Sequence, residues 1–185
     1  MRVISGQARG IKLVTVDGLE TRPTTDRVKE AIFSMIQHSI YDVKALDLFS
    51  GSGALGIELL SRGGNFVDFV ELNKAAITCI NENLTKTKLG EFAKVHQATV
   101  ENALLKLNQS GAKYDVVFMD PPYHKGHIKS TIDGIINYKL LNINGIIVLE
   151  HHIDDMDARI EIEALELVTL KKYGIIGVSI YRRIK

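Results

Sequence analysis

Lys44-Ala45-Leu46-Asp47-Leu48-Phe49, followed by Ser50-Gly51-Ser52-Gly53-Ala54-Leu55-Gly56 and Ile57-Glu58-Leu59-Leu60-Ser61-Arg62, is the stretch whose reading decides the fold. The short apolar run predicts a buried strand, the glycines a tight turn, and the residues after Gly56 a helix. Gly51, Gly53 and Gly56 match G-x-G-x-x-G, which lets backbone approach a ligand closely and a helix pack tightly on a sheet. Glu71 closes the next strand candidate, Phe66 to Glu71, near the spacing of an acid that accepts two ribose hydroxyls. The plain alternative for Glu71 is a surface acid at a strand end.

Nicotinamide enzymes share this glycine pattern, so Asp47 is the discriminating residue. Dinucleotide strands usually stay apolar up to the first glycine, where the helix N-terminus meets a pyrophosphate. Here a carboxylate lies inside the strand, and burying it is unfavourable unless a cation or hydrogen-bond donors meet it. S-adenosylmethionine carries an ammonium and a sulfonium and no phosphate, which suits a turn flanked by Asp47 and Glu71. The plain alternative is a carboxylate that caps nearby backbone amides.

A second motif lies downstream. Tyr114-Asp115-Val116-Val117-Phe118-Met119 predicts a buried strand, and Asp120-Pro121-Pro122-Tyr123 follows it directly. Two prolines remove two backbone donors and stop a central strand, leaving carbonyl oxygens able to accept hydrogen bonds. With a carboxylate before them and an aromatic ring after, the segment offers acceptors for an amino group and a face for a planar base. An ordinary strand ending in a Pro-Pro turn is the competing reading.

Asp47 to Glu58 together with Asp120-Pro121-Pro122-Tyr123 resembles the class I S-adenosylmethionine-dependent methyltransferases that modify exocyclic amines. Arg2-Val3-Ile4-Ser5-Gly6-Gln7-Ala8-Arg9-Gly10 and Arg22-Pro23-Thr24-Thr25-Asp26-Arg27-Val28-Lys29-Glu30 are similar to the opening of the RsmD family, bacterial enzymes that methylate guanine N2 in 16S ribosomal RNA. The resemblance spans nearly the whole chain. It implies an α/β fold: a doubly wound, mainly parallel, seven-stranded Rossmann-like sheet with an antiparallel C-terminal hairpin. It also implies that Gly51 and Gly53 meet the methionine part of the cofactor, that Asp47 orients its amino group and that Glu71 holds the ribose. Relatives often place an acid or amide near the end of the third strand to meet the adenine amine. Here that place reads Gln97-Ala98-Thr99, which leaves Thr99 as the candidate. Asp120, Pro121 and Tyr123 are the expected catalytic group, with no metal; 16S rRNA or the small ribosomal subunit particle is the expected partner.

Composition is compatible with this. At 185 residues the chain suits one domain, residues 1–40 forming a hairpin-and-helix extension and 41–185 the catalytic core. No apolar run reaches the length of a membrane span, and Met1 to Gly6 lacks the apolar core of a signal peptide, so a cytoplasmic protein is expected. A lone cysteine, Cys79, excludes an internal disulfide and reads as a small core residue. Net charge is +1, but its distribution is uneven. Lys171, Lys172, Arg182, Arg183 and Lys185 follow an acidic stretch from Glu150 to Glu166, and Arg2, Arg9, Lys12, Arg22, Arg27 and Lys29 make a second basic segment. Such residues supply the phosphate-neutralising part of nucleic-acid binding, although each singly is compatible with a solvated surface. His124, Lys125 and His127 suit a soluble loop better than RNA backbone contact.

Elsewhere the pattern predicts helices over Asn73 to Leu84, Val100 to Leu107 and Ile128 to Tyr138, and strands over Ala93 to Ala98 and Gly145 to Glu150. Leu165 to Lys172 and Ile175 to Arg183 flank Tyr173-Gly174 as an antiparallel hairpin. Arg2 to Ile4 and Ile11 to Val16 suggest a small N-terminal hairpin. Thr24 or Thr25 caps a helix whose buried stripe is Val28, Ala31, Ile32, Met35 and Ile36. No surplus apolar helix face stands out, so a monomer is expected. Three other functions share parts of this pattern: an adenine-N6 methyltransferase, a nicotinamide oxidoreductase and a non-catalytic RNA-binding module.

Overall fold

The computed structural model describes residues 1–16, 25–123, 125–155 and 160–185; Arg22, Thr24 and His124 lie outside them. Seven strands form one sheet: β1 (Lys44–Leu48), β2 (Phe66–Glu71), β3 (Ala93–Gln97), β4 (Tyr114–Met119), β5 (Leu141–His152), β6 (Leu165–Tyr173) and β7 (Ile176–Arg183). Their spatial order is β3-β2-β1-β4-β5-β7-β6, with the first five parallel and β7 antiparallel to both its neighbours. Five α-helices accompany them: α1 (Asp26–Met35), α2 (Ala54–Ser61), α3 (Lys74–Thr87), α4 (Val100–Gln109) and α5 (His127–Asn137). This is the expected α/β architecture, antiparallel C-terminal hairpin included.

The central strands read as unbroken apolar runs because helices cover both faces of a parallel sheet. On one face α1, α2 and α3 pack over Ala45, Val67, Phe69, Val116 and Phe118; on the other, α4 and α5 pack over Leu46, Leu48, Val70, Val117 and Met119. The helix starts follow local capping chemistry. Thr25 accepts from the Val28 amide, Asn73 from those of Ala75 and Ala76, and Thr99 from that of Asn102. Among the described residues no helix is long and apolar enough to cross a membrane.

Three local expectations are corrected. The N-terminal hairpin is only a bridge between Arg2 and Lys12, with Val3 donating to Ile11 O and Leu13 to Met1 O. The Ile4 and Ser5 amides are given to Glu58 of α2, and both backbone groups of Val14 to Asn83 of α3, which takes them out of the ladder. The buried stripe of α1 contains Lys29 and Phe33 in place of Ala31 and Met35. β5 also runs well beyond Gly145 to Glu150 at both ends, because its N-terminal end joins Tyr114 across a register shift and its C-terminal end pairs with Gly177 and Ile176.

The clamp on α2 explains how the extension is held. Glu58 is fully buried and accepts from the Ile4 amide (2.8 Å), the Ser5 amide (3.0 Å) and Arg62 Nε (2.7 Å). Its fourth partner is the Lys29 ammonium of α1 at 3.1 Å, also fully buried. Burial pulls the Lys29 pKa down, and Glu58 offsets part of that shift. One turn later Ser61 Oγ donates to Ser5 O and accepts from the Ala8 amide. Gly6 passes so close that a Cβ would sit 1.7 Å from Ser61 O, so a side chain is excluded there. Removing one partner of a buried ion pair strands the other charge, typically at a cost of about 3–5 kcal/mol. Glu58→Ala is therefore expected to lower unfolding free energy by about that amount in urea titration; a change below ~1 kcal/mol would refute the clamp.

Candidate active site at the carboxyl edge of the sheet

The strand order reverses direction between β1 and β4, and ligands of open α/β sheets bind beyond the carboxyl ends of the strands at such a point. Leu48 is in register with Val70 on one side and Met119 on the other, and Met119 with Leu149. The next residues along β1, β2 and β4, Phe49, Glu71 and Asp120, therefore emerge at one edge, while β5 continues through the buried Glu150 to His152. Four of the sequence candidates, Asp47, Gly51, Glu71 and Asp120, share this region, and Gly53 starts α2 beside them.

The turn is built for close approach. Gly51 has φ +54° and Gly53 has φ +77°. A Cβ on Gly51 would meet nothing within 4 Å, so the space over the turn is open. Gly56, in contrast, lies against the sheet: a Cβ there would be 2.4 Å from the Phe69 ring. Phe49 adopts φ +57°, a strained conformation for a bulky residue, and its ring centroid lies 5.9 Å from that of His127 at the start of α5. Ser50 ties the strand ends together, with Oγ accepting from the Val70 amide at 3.0 Å and lying 2.6 Å from Asp47 O.

Two acids inside neighbouring strands differ sharply. Asp68 accepts from His96 Nε2 (2.7 Å) and the Tyr114 hydroxyl (2.8 Å), with Lys44 Nζ 3.7 Å away. Burial alone would raise its pKa, but these partners prevail and the carboxyl titrates below its ordinary range. Asp47 is 3% exposed, and its Oδ2 accepts from the Gly56 amide at 3.0 Å. Burial, reinforced by the charge of Glu71 and only partly opposed by that amide, pushes its pKa up to about 8. A carboxylate held this way stabilises a cation placed above the turn.

Glu71 is more heavily engaged than sequence suggests. Oε2 accepts from the Gly51 amide at 2.9 Å, and Oε1 from the amides of Leu72 (2.8 Å) and Asn73 (2.9 Å). A carboxylate has about four acceptor positions, so a ribose diol could take both its bonds only by displacing one of these amides. Thr99 stands just beyond β3, where its hydroxyl caps α4. On the other side of the crevice Pro121 is buried and Asp120 and Tyr123 are half-buried, the Tyr123 ring lying edge-on to His152 with centroids 5.7 Å apart. Sequence reading passed over His152, Ser50 and Asn83. Asn83 Nδ2 donates to Ser52 O in the glycine turn and to Val14 O, while its Oδ1 accepts from the Val14 amide. The amide side chain thus joins the N-terminal extension to the glycine turn, a long-range contact without a local signal.

The family model described as conserved hypothetical protein 95 matches residues 1–182. Bacillus subtilis YlbH is 40% identical over 185 residues, covering 99% of each chain. Ribosomal RNA small subunit methyltransferase D of Escherichia coli strain K12 is 36% identical over 155 residues, 84% of this chain and 76% of that one. The chain belongs to the RsmD family. The solved structure of the Escherichia coli methyltransferase yhhF superposes with a TM-score of 0.87 at 34% identity, covering 100% of this chain and 98% of that chain. The likeness to that structure covers the whole chain, including the glycine turn, Asp47 and the Asp-Pro-Pro-Tyr loop.

The sign of the Asp47 shift sets a pH dependence. With its folded pKa near 8 and an ordinary value of 3.8, the folded chain holds a proton that the unfolded chain lacks throughout that interval. Stability is then lost as pH rises from about 4 to about 8. Asp47→Asn keeps an acceptor for Gly56 and removes the titration. It is expected to gain stability over the parent progressively across this interval, reaching a few kcal/mol near pH 8 in denaturant titrations. Parallel pH profiles of the two proteins would exclude the assignment.

Proposed function

We propose that this chain transfers a methyl group from S-adenosylmethionine to the exocyclic N2 of a guanine in 16S ribosomal RNA, acting on the small-subunit particle or its RNA in the cytoplasm. The observation that carries this reading is the placement of the Asp120-Pro121-Pro122-Tyr123 acceptor loop on the same sheet edge as the Asp47 glycine turn. Kinship with ribosomal RNA small subunit methyltransferase D gives the substrate class.

The residues fit the cofactor by charge and by space. The raised pKa of Asp47 marks a carboxylate short of positive charge, and the open space at Gly51, where a Cβ would meet nothing within 4 Å, supports placing the methionine part of S-adenosylmethionine over the turn. Asp47 would take the ammonium group. Gly51 and Gly53 allow backbone contact, and Glu71 would take the ribose. Thr99, the N-cap of α4 just beyond β3, would stand on the adenine side. When bound, S-adenosylmethionine supplies a methyl group on a sulfonium, which leaves with its bonding electrons retained by sulfur.

The acceptor side must present a poor nucleophile. The guanine N2 lone pair is delocalised into the purine, and a stacked, paired base cannot reach the donor, so the base is unstacked first. Tyr123 stacks on it. The Asp120 carboxylate and the Pro121 carbonyl accept the two N2 hydrogens and turn the lone pair toward the methyl group. Positive charge develops on nitrogen as the N–C bond forms. Asp120 stabilises that charge and receives the departing proton.

The decisive assay is labelled S-adenosylmethionine with undermethylated small-subunit particles and, separately, naked 16S rRNA, followed by digestion to nucleosides. N2-methylguanosine is the expected product; N6-methyladenosine or no transfer would refute the proposal. In single-turnover measurements Asp120→Ala is expected to slow methyl transfer about 100-fold or more while cofactor affinity stays near the parent value. A variant that transfers at the parental rate would remove Asp120 from the chemistry.

Asp47 couples cofactor binding to protons. Its carboxyl is neutral in the free protein below about pH 8, and an ammonium beside it favours the ionised form. Binding should release a proton, so affinity should rise with pH, by up to tenfold per unit, between about pH 6 and about pH 7.5. Isothermal titration in buffers of different ionisation enthalpy measures this directly. Asp47→Asn should abolish both the released proton and the slope.

A further inference from the structure

We infer that β6 is an interface, and that its partner is β6 of a second copy of this chain, paired antiparallel about a two-fold axis between Val168 and Thr169. Among the described residues β6 stands last in the sheet and pairs only with β7, leaving its outer edge open to another strand. Leu167, Val168 and Leu170 are 50%, 42% and 52% exposed, an unusual run of apolar side chains for an edge strand.

The register follows from the sequence of β6 and from one irregularity in it. An antiparallel pair places directly opposed residues on the same face, and a two-fold pair must also be self-complementary. Opposing 166 with 171 of the second copy, 167 with 170 and 168 with 169 gives, in each half, one Glu166–Lys171 pair, one Leu167–Leu170 pair and one Val168–Thr169 pair. In a regular strand this register is forbidden, because residues 166 and 171, or 167 and 170, lie on opposite faces.

The β-bulge removes that obstacle. Leu167 opposes Tyr181 and Thr169 opposes Ile180, so Val168 is an extra residue and the alternation of faces shifts by one. Ile180 and Tyr181 belong to the cores on opposite sides of the sheet. Leu167 therefore lies on the Tyr181 side, and so does Leu170, which opposes Ser179. Glu166 opposes Arg182 and Lys171 opposes Val178, which places both on the Ile180 side. The charged pair and the leucine pair of the proposed register therefore each share a face, and two leucines from each copy form one apolar cluster. A bulge and lysines ordinarily discourage a foreign strand. Here the same bulge and Lys171 fit the segment's own sequence.

Strand addition alone buries less than the roughly 1,200 Å² of a standard interface, so the dimer should be weak and reversible. Sedimentation equilibrium over a wide concentration range tests it. The parent should pass from 20.6 kDa toward twice that mass as concentration rises. Glu166→Lys and Lys171→Glu each set like charges opposite one another in both halves and should weaken association about tenfold. The double variant Glu166→Lys/Lys171→Glu should restore it, although each single variant also alters contacts within its own copy. Far-UV circular dichroism confirms that the variants fold. A parent that stays at 20.6 kDa at every concentration would overturn the proposal, as would single variants that associate like the parent or a double variant that is not restored.

Discussion

A carboxylate removed from water must be compensated, and at Asp47 the compensation inside the protein is incomplete. The Gly56 amide contributes one hydrogen bond, while burial and Glu71 both act against ionisation. That imbalance depends on the packing of α2. Gly56 lies hard against the Phe69 ring, so its N–H can reach Asp47 only because position 56 has no side chain. The glycine turn, the strained Phe49 and the direction of α2 follow from the same close approach. Asp68 shows what a purely structural acid looks like in this sheet: donors from His96 and Tyr114, with Lys44 nearby, satisfy it fully.

The extension is joined to this core through charges that are also hidden. Glu58 and Lys29 are an ion pair without water, which by itself is a poor source of stability relative to an apolar pair of similar volume. Its value lies in geometry. Glu58 simultaneously accepts from Ile4, Ser5 and Arg62, so the first residues, α1 and α2 must all arrive correctly for any of these groups to be satisfied. Asn83 extends the linkage from Val14 to Ser52 in the glycine turn. The short N-terminal segment is thus built into the wall of the catalytic core.

Local signals made much of this legible. The stretch 44–62 combines an apolar run, three glycines and a helical pattern within one turn of chain, and the structure follows it closely. The Asp-Pro-Pro-Tyr loop was readable for the same reason: two successive prolines cannot continue a central strand. Residues whose role depends on distant partners were not readable. Glu58 and Lys29 look like ordinary exposed helix charges until the extension covers them, and Asn83 reads as a polar position on α3. Thr99 carries two compatible signals, a helix cap and a cofactor neighbour, and only the cap is a contact internal to the chain. The bulge at Val168 depends on the register with β7, which periodicity along one strand does not encode.

The charge around the turn also separates this chain from dinucleotide enzymes that share its glycine spacing. A pyrophosphate above Gly51 would approach Glu71, whose Oε2 lies 2.9 Å from the Gly51 amide, and Asp47, buried beneath the turn. The phosphate charge would meet that of Glu71 and keep the Asp47 carboxyl neutral, and the backbone amide that ordinarily meets phosphate is already donated to Glu71. A cation reverses each of these terms: it lowers the pKa that burial has raised and leaves the Gly51 amide with its carboxylate. The same glycine spacing is therefore compatible with opposite ligand charges, and the proposed role of Asp47 rests on the charge it places beneath the turn.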